Sequence, residues 1–308
     1  MTEADVQSVC AVVVAYRPEL AVLRDLLRAV LMQVGAIVVV DNTPTDEVGV
    51  GACDVPQKTH LLPQHGNVGL AAAQNAGIDW ARQHGFHHVL LLDQDSLPDE
   101  GMVAALLNAL EHSSHAQKLA AVGPCFHDLR EDRAAPFVRI GFPLNRKLWC
   151  EREGQTVPCD FLIGSGSLIP MYVLDAIGDM DAGLFIDNVD LEWCFRARAK
   201  GFDLQGVCAA VMHHRLGDAR RALPLGLGQV VVHGPARLYY MMRNRVRLYR
   251  LPHTPRVWIA QDVPRLWLKL FLFGVLIGPH WHNLRFMLRG LVDGVRGRTG
   301  ACPWQARV

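Results

Sequence analysis

The chain has 308 residues, half of them apolar and a fifth charged, with 27 glycines and 17 prolines. These proportions exclude a disordered, collagen-like or coiled-coil protein and leave one large or two smaller folded domains. The formal net charge of +1 conceals a segregation: residues through His214 carry 15 basic and 27 acidic side chains, and those from Arg215 onward 16 basic and 3 acidic. An asymmetry of this size predicts that the basic part meets something anionic. The first residues lack the basic segment of a secretory signal. The eight cysteines form no C-x-x-C pair and no zinc spacing, so reduced core thiols of a cytosolic protein are expected.

Val9 to Ala15 and Ala36 to Val40 are continuous, β-branched apolar runs, the pattern of strands buried on both faces. Between them Leu20, Leu23, Leu27, Val30 and Leu31 recur at helical spacing. A weaker strand is predicted at His60 to Leu62, a helix at Gly69 to Gln83 and a strong strand at His88 to Leu92. Pro98 is expected to open a helix over Asp99 to His112, followed by a short strand at Ala120 to Val122. Later strands are expected at Phe161 to Ile169 and Leu204 to Met212, flanking a helix from Val189 to Lys200. Such alternation predicts an α/β fold, a Rossmann-like, mostly parallel sheet with helices on both faces. Ligands of these sheets lie beyond the carboxyl ends of strands, here Ala15-Tyr16-Arg17, Asp41-Asn42 and Asp93-Gln94-Asp95.

The first strand runs into AYRPE without a glycine, which excludes the usual dinucleotide fingerprint and the P-loop and disfavours a nucleotidyltransferase. What remains is a strand ending in acids. In extended geometry Asp93 and Asp95 would present both carboxylates to one side, suiting a hard divalent cation such as Mg²⁺ or Mn²⁺ that shares a diphosphate. Asp41 at the second strand end can accept from a base or ribose, or close an Asx turn. Asn67, Gly69 and Asn75 place small or polar groups around a helix start, where a backbone or ligand approaches closely.

In Asp187 to Gly201 (DNVDLEWCFRARAKG), Asn188 or Asp187 can cap a helix and Asp190 falls in its first turn as a candidate general base. Glu192 is the alternative, with Arg196 four residues on as an ion-pair partner. His213-His214 follow a strand and could complete a metal shell or meet a phosphate. After Pro235 the texture turns to Arg, Tyr and Met. The apolar run Leu266 to Gly278 is too short to span a bilayer and reads as an interfacial helix flanked by Arg265, Lys269, Arg285 and Arg289. Its alternatives are a core helix or a contact with a second copy of the chain. Arg243, Arg245, Arg247 and Arg250 spread around a helix instead of forming one stripe, so nucleic acid is not the expected partner.

With VVVAYRPE, VVVDNT, GNVGLAAAQNAGI, LLLDQDS, FLIGSGSL, LFIDNVDLEWCFRARAKG, HRLGD, PARLYYMMRNRVRLYR and GLVDGVRGRTG assembled, most of the chain resembles glycosyltransferase family 2. The DNVDLEWCFRARAKG and YYMMRN segments are similar to its bacterial rhamnosyltransferase branch. The resemblance implies a GT-A fold over 1–230, divided into a nucleotide-sugar half (1–125) and an acceptor half (126–230), with a basic helical region at 231–308. It implies inverting, metal-dependent transfer from dTDP-rhamnose, or another nucleotide-sugar such as UDP-galactofuranose, to a polyprenyl-diphosphate-linked glycan. The setting would be the inner face of the cell membrane, with Mg²⁺ or Mn²⁺ as cofactor.

On that resemblance Ala15, Tyr16, Arg17, Asp41, Asn67, Gly69, Asn75, Asp93 and Gln94 surround the donor. Asp95, Asp93 and His214 surround the metal, and Asp190 is the base. Gly164, Ser165, Gly166, Trp193 and Glu192 lie on the acceptor side, and Arg237, Arg243 and Asn244 meet diphosphate or membrane. The family's base often follows a Glu, whereas Val189 precedes Asp190 here, so Asp187 and Glu192 stay open as alternatives. A membrane-associated nucleotide-sugar-binding protein without catalysis is the contrasting reading.

Overall fold

The structure is a computed structural model describing residues 6–53, 55–113, 116–128, 134–152, 154–214, 220–222 and 229–303. The first half supplies β1 (Val9–Ala15), α1 (Leu20–Leu31), β2 (Ala36–Asp41), β3 (Thr59–Pro63), α2 (Leu70–Gln83), β4 (His88–Asp93), β5 (Ser96–Pro98), α3 (Met102–Glu111) and β6 (Leu119–Asp128). Then come β7 (Phe137–Arg139), β8 (Arg146–Leu148), β9 (Thr156–Cys159), β10 (Leu168–Pro170), α4 (Met171–Ile177), α5 (Val189–Ala199), β11 (Asp203–His214), β12 (Arg220–Ala222) and β13 (Gln229–Val231). Three helices follow: α6 (Pro235–Tyr249), α7 (Arg256–Phe271) and α8 (His280–Val295).

The main sheet has the order β3-β2-β1-β4-β10-β6-β11-β5, with β9 paired to β11. β1, β2, β3 and β4 are mutually parallel, as are β6 and β11, while β10 inserts antiparallel between β4 and β6. Alternation along β1 sorts its residues between two cores. Cys10, Val12 and Val14 face α2 and α5, and Val9, Ala11, Val13 and Ala15 face α1 and α3. The parallel register sets Ala15 beside Asp41 and Val14 beside Asp93, so the acidic strand ends share one edge. Gly77 lets α2 settle on that sheet, since a Cβ there would stand 2.3 Å from Val12.

Several expectations are corrected. Pro98 does not open a helix. It lies in β5, the edge strand paired antiparallel with β11, where a missing N–H costs no ladder bond, and α3 begins at Met102 behind Gly101, at φ +78. Of Phe161 to Ile169 only the end is strand, and the preceding glycine-containing stretch is a loop. The run from Leu266 is no single helix: α7 ends at Phe271 and a π turn covers Leu272–Leu276. Finally, not all cysteines are thiols. Cys150 and Cys208, 58 residues apart, form a disulfide because the β8–β9 connection returns against β11, a pairing invisible to spacing. The other six are buried and stand outside this disulfide.

The C-terminal helices have their own apolar centre, including Leu238, Met242, Leu266, Phe273, Ile277 and Met287. Gly290 and Gly294 let α8 press on α6, because a Cβ at either would stand within 2.8 Å of α6. Trp267, Leu268, Phe271 and Val275 remain exposed. No described helix is long and apolar enough to cross a membrane.

Candidate active site

β4 ends at Asp93 and the chain turns at once through Gln94 and Asp95 into β5. The extended geometry expected for Asp93-Gln94-Asp95 is therefore replaced by a turn at the sheet edge. The Gln94 side chain accepts from the Tyr16 N–H (2.8 Å), tying the ends of β1 and β4 together. Asp41 closes an Asx turn by accepting from Thr43 N and pins the next loop by accepting from Val50 N (2.9 and 2.7 Å). Arg17 pairs with Glu47 at the surface. Asn67 accepts from Gly69 N (3.0 Å), which sets up the entry to α2. Gly69 sits at φ +90, where a Cβ would meet the Phe185 ring at 2.6 Å.

Asn75, expected near the donor, is engaged elsewhere. It donates to Met180 O and accepts from Met180 N, both at 2.9 Å, fastening α2 to the loop after α4. Its neighbour Gln74, which sequence reasoning passed over, is buried with an unpartnered Oε1. Gln74 lines a cavity of about 20 Å³ together with Asp190, Gly164, Ser167, Trp193, Cys194 and surrounding aliphatic groups. That is room for about one water.

The loop before β10 joins the two acidic clusters. Gly164 N donates to Asp190 Oδ2 (3.2 Å), and the next residue, Ser165, accepts from Asp93 N (2.9 Å) and shares a hydrogen bond with Ser96 (2.7 Å). Gly166 follows at φ +79, packed where a Cβ would strike Pro124 and Met212. One short segment thus sets Asp190 in register with the Asp93-Gln94-Asp95 turn. Burial pushes the Asp190 carboxyl above the usual aspartate range; the N–H groups of Leu191 and Gly164 oppose that rise and Asp187 adds to it.

The approach to α5 is locally strained, with Phe185, Asp187 and Asn188 at φ between 62 and 66. Neither Asn188 nor Asp187 caps α5: Asn188 is the residue before the helix, but its side chain makes no cap bond. What holds this loop is α6. Asn244 Nδ2 donates to the carbonyls of Leu184, Ile186 and Asp187 (2.9, 2.7 and 2.9 Å). Arg243, wholly buried, donates to the carbonyls of Gly183, Leu184 and Gly300 and to Asn244 Oδ1. These two residues therefore clamp the loop that leads to Asp190 instead of meeting diphosphate or membrane. Arg237 pairs with Asp187 at 3.2 Å.

Glu192 is removed from the acceptor side and from the role of base. It is buried, bound through both oxygens to Arg196 (3.0 and 2.8 Å), and meets His253 Nε2 at 2.9 Å. Trp193 is buried with its indole N–H on Gly178 O (3.0 Å), so it walls the cavity and presents no exposed sugar-stacking face. The backbone of His214 pairs with Ser96 at the end of β11; its side chain, and the rest of HRLGD from Arg215 to Asp218, lie outside the described residues.

Asp93 and Asp95 supply the hard oxygen donors that Mg²⁺ or Mn²⁺ prefers. Among the described residues no group of three or more His, Cys, Asp or Glu side chains could hold a metal. Two carboxylates of this kind would leave most of such a cation's coordination to water and to an oxygen-rich ligand such as a diphosphate.

Comparison with known proteins agrees with this layout. The model of "Glycosyl transferase family 2" matches residues 10–172, just over half the chain. The chain is 30% identical over 303 residues to "dTDP-rhamnosyl transferase RfbF" of Shigella flexneri, covering 97% of this chain and 99% of that protein. Among solved structures, GalNAc-T7 with UDP, GalNAc and Mn²⁺ superposes with a TM-score of 0.57 at 12% identity, over 94% of this chain and 56% of that one. S. aureus TarS 1-349 with UDP-GlcNAc gives 0.54 at 12% identity, over 94% and 81%. The acidic strand ends, the shared sheet architecture and the full-length similarity lead to one assignment: the chain belongs to glycosyl transferase family 2.

Proposed function

We propose that the protein transfers L-rhamnose, with inversion, from dTDP-β-L-rhamnose to a hydroxyl of a lipid-linked glycan during synthesis of a cell-surface polysaccharide. The observation that carries this reading is the segment Gly164-Ser165, which binds the Asp190 carboxylate on one side and the Asp93 backbone N–H on the other, so that the proposed base and the acidic turn are tied to one loop. The full-length similarity to a dTDP-rhamnosyl transferase supports the choice of donor. Asp190 takes the proton of the acceptor hydroxyl as its oxygen bonds the anomeric carbon and the bond to the diphosphate breaks. A carboxylate made more basic by burial is suited to that proton transfer. Asp95 and Asp93 would hold Mg²⁺ or Mn²⁺, which offsets the charge growing on the leaving diphosphate. Ala15, Tyr16, Arg17, Asp41, Asn67 and Gly69 line the edge where the nucleotide would lie, and His214 stands at the end of β11 on the same edge.

The exposed Trp267, Leu268, Phe271 and Val275, within a strongly basic C-terminal region, support attachment to the anionic inner face of the cell membrane. The test is transfer from labelled dTDP-rhamnose, with and without Mn²⁺, to lipid extract of the producing cell, run beside a panel of UDP-sugars. Rhamnosylated lipid formed only with metal is the expected result. Turnover of UDP-sugars alone would assign another donor, and nucleotide binding without transfer to any lipid would make the chain a non-catalytic binding protein.

A further inference from the structure

We propose that the tip of the β7–β8 hairpin joins the outward face of α7 in one surface that enters an anionic bilayer, so that the acceptor half of the molecule itself touches the membrane. The proposal rests on the membrane attachment inferred above and adds to it a second, separate element of the chain.

Between β7 and β8 the chain turns through Gly141 to Asn145, and Phe142 and Leu144 on that tip are 73% and 74% exposed. Turns ordinarily carry small or polar residues, so two large apolar side chains at one tip need another occupant of the space they face. The Gly141 carbonyl accepts from Gln261 Nε2, which fastens the tip to α7. Val257, Gln261, Pro264 and Leu268 follow one another at spacings of four, three and four, so they share one face of that helix. Ala260, Trp267 and Phe271 form the adjoining stripe, turned away from Lys269. All of these except Gln261 are exposed. The exposed tip and the exposed face of α7 therefore adjoin at Gln261.

The rim of this surface is cationic. Residues 134–149 include Arg139, Arg146 and Lys147, all exposed, and no acid; on α7, exposed Arg256 and Arg265 accompany one acid, Asp262, which is buried. Arg139 and Arg146 stand directly opposite each other across β7 and β8. Like charges in that position weaken the pairing that holds them, and an anionic surface offsets their repulsion. At about 3.3 Å per extended residue they lie no more than about 10 Å behind Phe142, so headgroups meet the arginines while the tip enters the layer beneath. A second copy of the same face would instead set cation against cation, which favours lipid as the occupant.

β7 connects this surface to the site. Val138 O accepts from Asp160 N (2.9 Å) and Val138 bridges to Phe161, three residues before the Gly164 that binds Asp190. Seating the hairpin in the bilayer thus brings the acceptor-side loop toward the layer that holds a lipid-linked acceptor.

The experiment measures flotation of the full chain with vesicles of equal parts phosphatidylglycerol and phosphatidylcholine, and with vesicles of phosphatidylcholine alone. It compares wild type with the double variants Phe142→Ser with Leu144→Ser and Arg139→Gln with Arg146→Gln. Wild type is expected to prefer the anionic vesicles. The tip variant should lose about ten-fold or more in affinity, as withdrawing two apolar side chains from lipid does. The arginine variant should lose about ten-fold on anionic vesicles alone. Phe142→Trp should be quenched by acyl-brominated lipid beyond the wild-type level, and thermal melts check that each variant is folded.

Undiminished binding by the folded tip variant, with no added quenching of Phe142→Trp, overturns the proposal and leaves attachment to α7 alone. Equal binding of wild type to neutral and anionic vesicles overturns it as well. So does a concentration-dependent dimer that the tip substitutions abolish while no vesicle is bound, which would make the face a contact between copies. Absence of wild-type binding to either vesicle removes the membrane attachment itself. Because flotation needs no sugar transfer, rhamnosyl transfer stands or falls by its own assay.

Discussion

The Gly164 N–H donates to Asp190 Oδ2 over 3.2 Å, and through this contact the loop that also holds Asp93 fixes the direction of the proposed base. The strained turn before α5 delivers Asp190, and Asn244 and Arg243 keep that turn in place from a helix about sixty residues further along the chain.

Asp190→Asn keeps one of the two acceptor oxygens of the side chain but cannot take a proton. Turnover is expected to fall by about 10²–10⁴ while dTDP-rhamnose still binds, as isothermal titration beside the transfer assay would reveal. Wild-type kcat should show an acid limb above the ordinary aspartate range, because burial raises this carboxyl. The sign for stability follows. A raised folded-state value means that ionised Asp190 opposes folding above its unfolded value, and the penalty vanishes as pH falls below it. Relative to the Asn variant, wild type should therefore gain stability as pH falls through this range, as thermal melts of the two at neutral and acid pH would reveal. Full transfer activity in Asp190→Asn would move the base elsewhere.

Asp95→Asn should impair the other half of the site. Mn²⁺-dependent affinity for dTDP is expected to drop by at least about ten-fold, with metal-free affinity little changed, since one charged ligand is lost while the fold is kept. Equal affinities with and without Mn²⁺ in the wild type would remove the metal assignment.

Asn244→Leu removes a donor from three carbonyls of the loop before α5, of which Leu184 O keeps Arg243 while those of Ile186 and Asp187 lose their side-chain donor. Denaturant unfolding should reveal a loss of about 2–4 kcal/mol, and turnover should decline more than donor affinity because Asp190 loses its alignment. A variant that loses donor affinity first would place Asn244 at the diphosphate after all.

Gln74→Leu removes an unpartnered buried oxygen from the wall of the Asp190 cavity. Stability is expected to hold or rise, since no hydrogen bond of that oxygen is lost. The acid limb of kcat should move further up as the cavity loses its polar wall. An unmoved limb would disconnect Gln74 from the base.

Thiol titration of the unreduced, denatured chain should find six reactive cysteines out of eight. Cys150→Ser should lower stability by about 2–4 kcal/mol relative to the oxidised wild type, and reduction should erase most of that difference. Eight thiols in freshly isolated protein would return the pair to the reduced state.

The parallel β-α opening, the acidic strand ends and the α5 segment were legible in the chain because strand burial and helix periodicity are local patterns. Val9 to Ala15 is apolar at every position since both faces are covered, and in β4 Asp93 announces where the burial of Val89 to Leu92 stops. Pro98, by contrast, carries a local signal that suits two contexts. Only the pairing of β5 with β11 reveals that it sits on an edge strand.

Arg243 and Asn244 looked like anion-binding groups in a basic stretch and are instead buried donors to a distant loop. The sequence by itself determined the α/β architecture, the acids at its edge and the division into acidic and basic parts, all of which depend on neighbours in the chain or on composition. Tertiary structure alone decided that Gly164 binds Asp190, that His253 joins the Glu192–Arg196 pair, that Cys150 meets Cys208 and that Lys269 reaches Met241 of α6. Each of those contacts joins residues on different turns or elements whose nearness is set by packing, and a hydrogen bond or ion pair depends on distance in space.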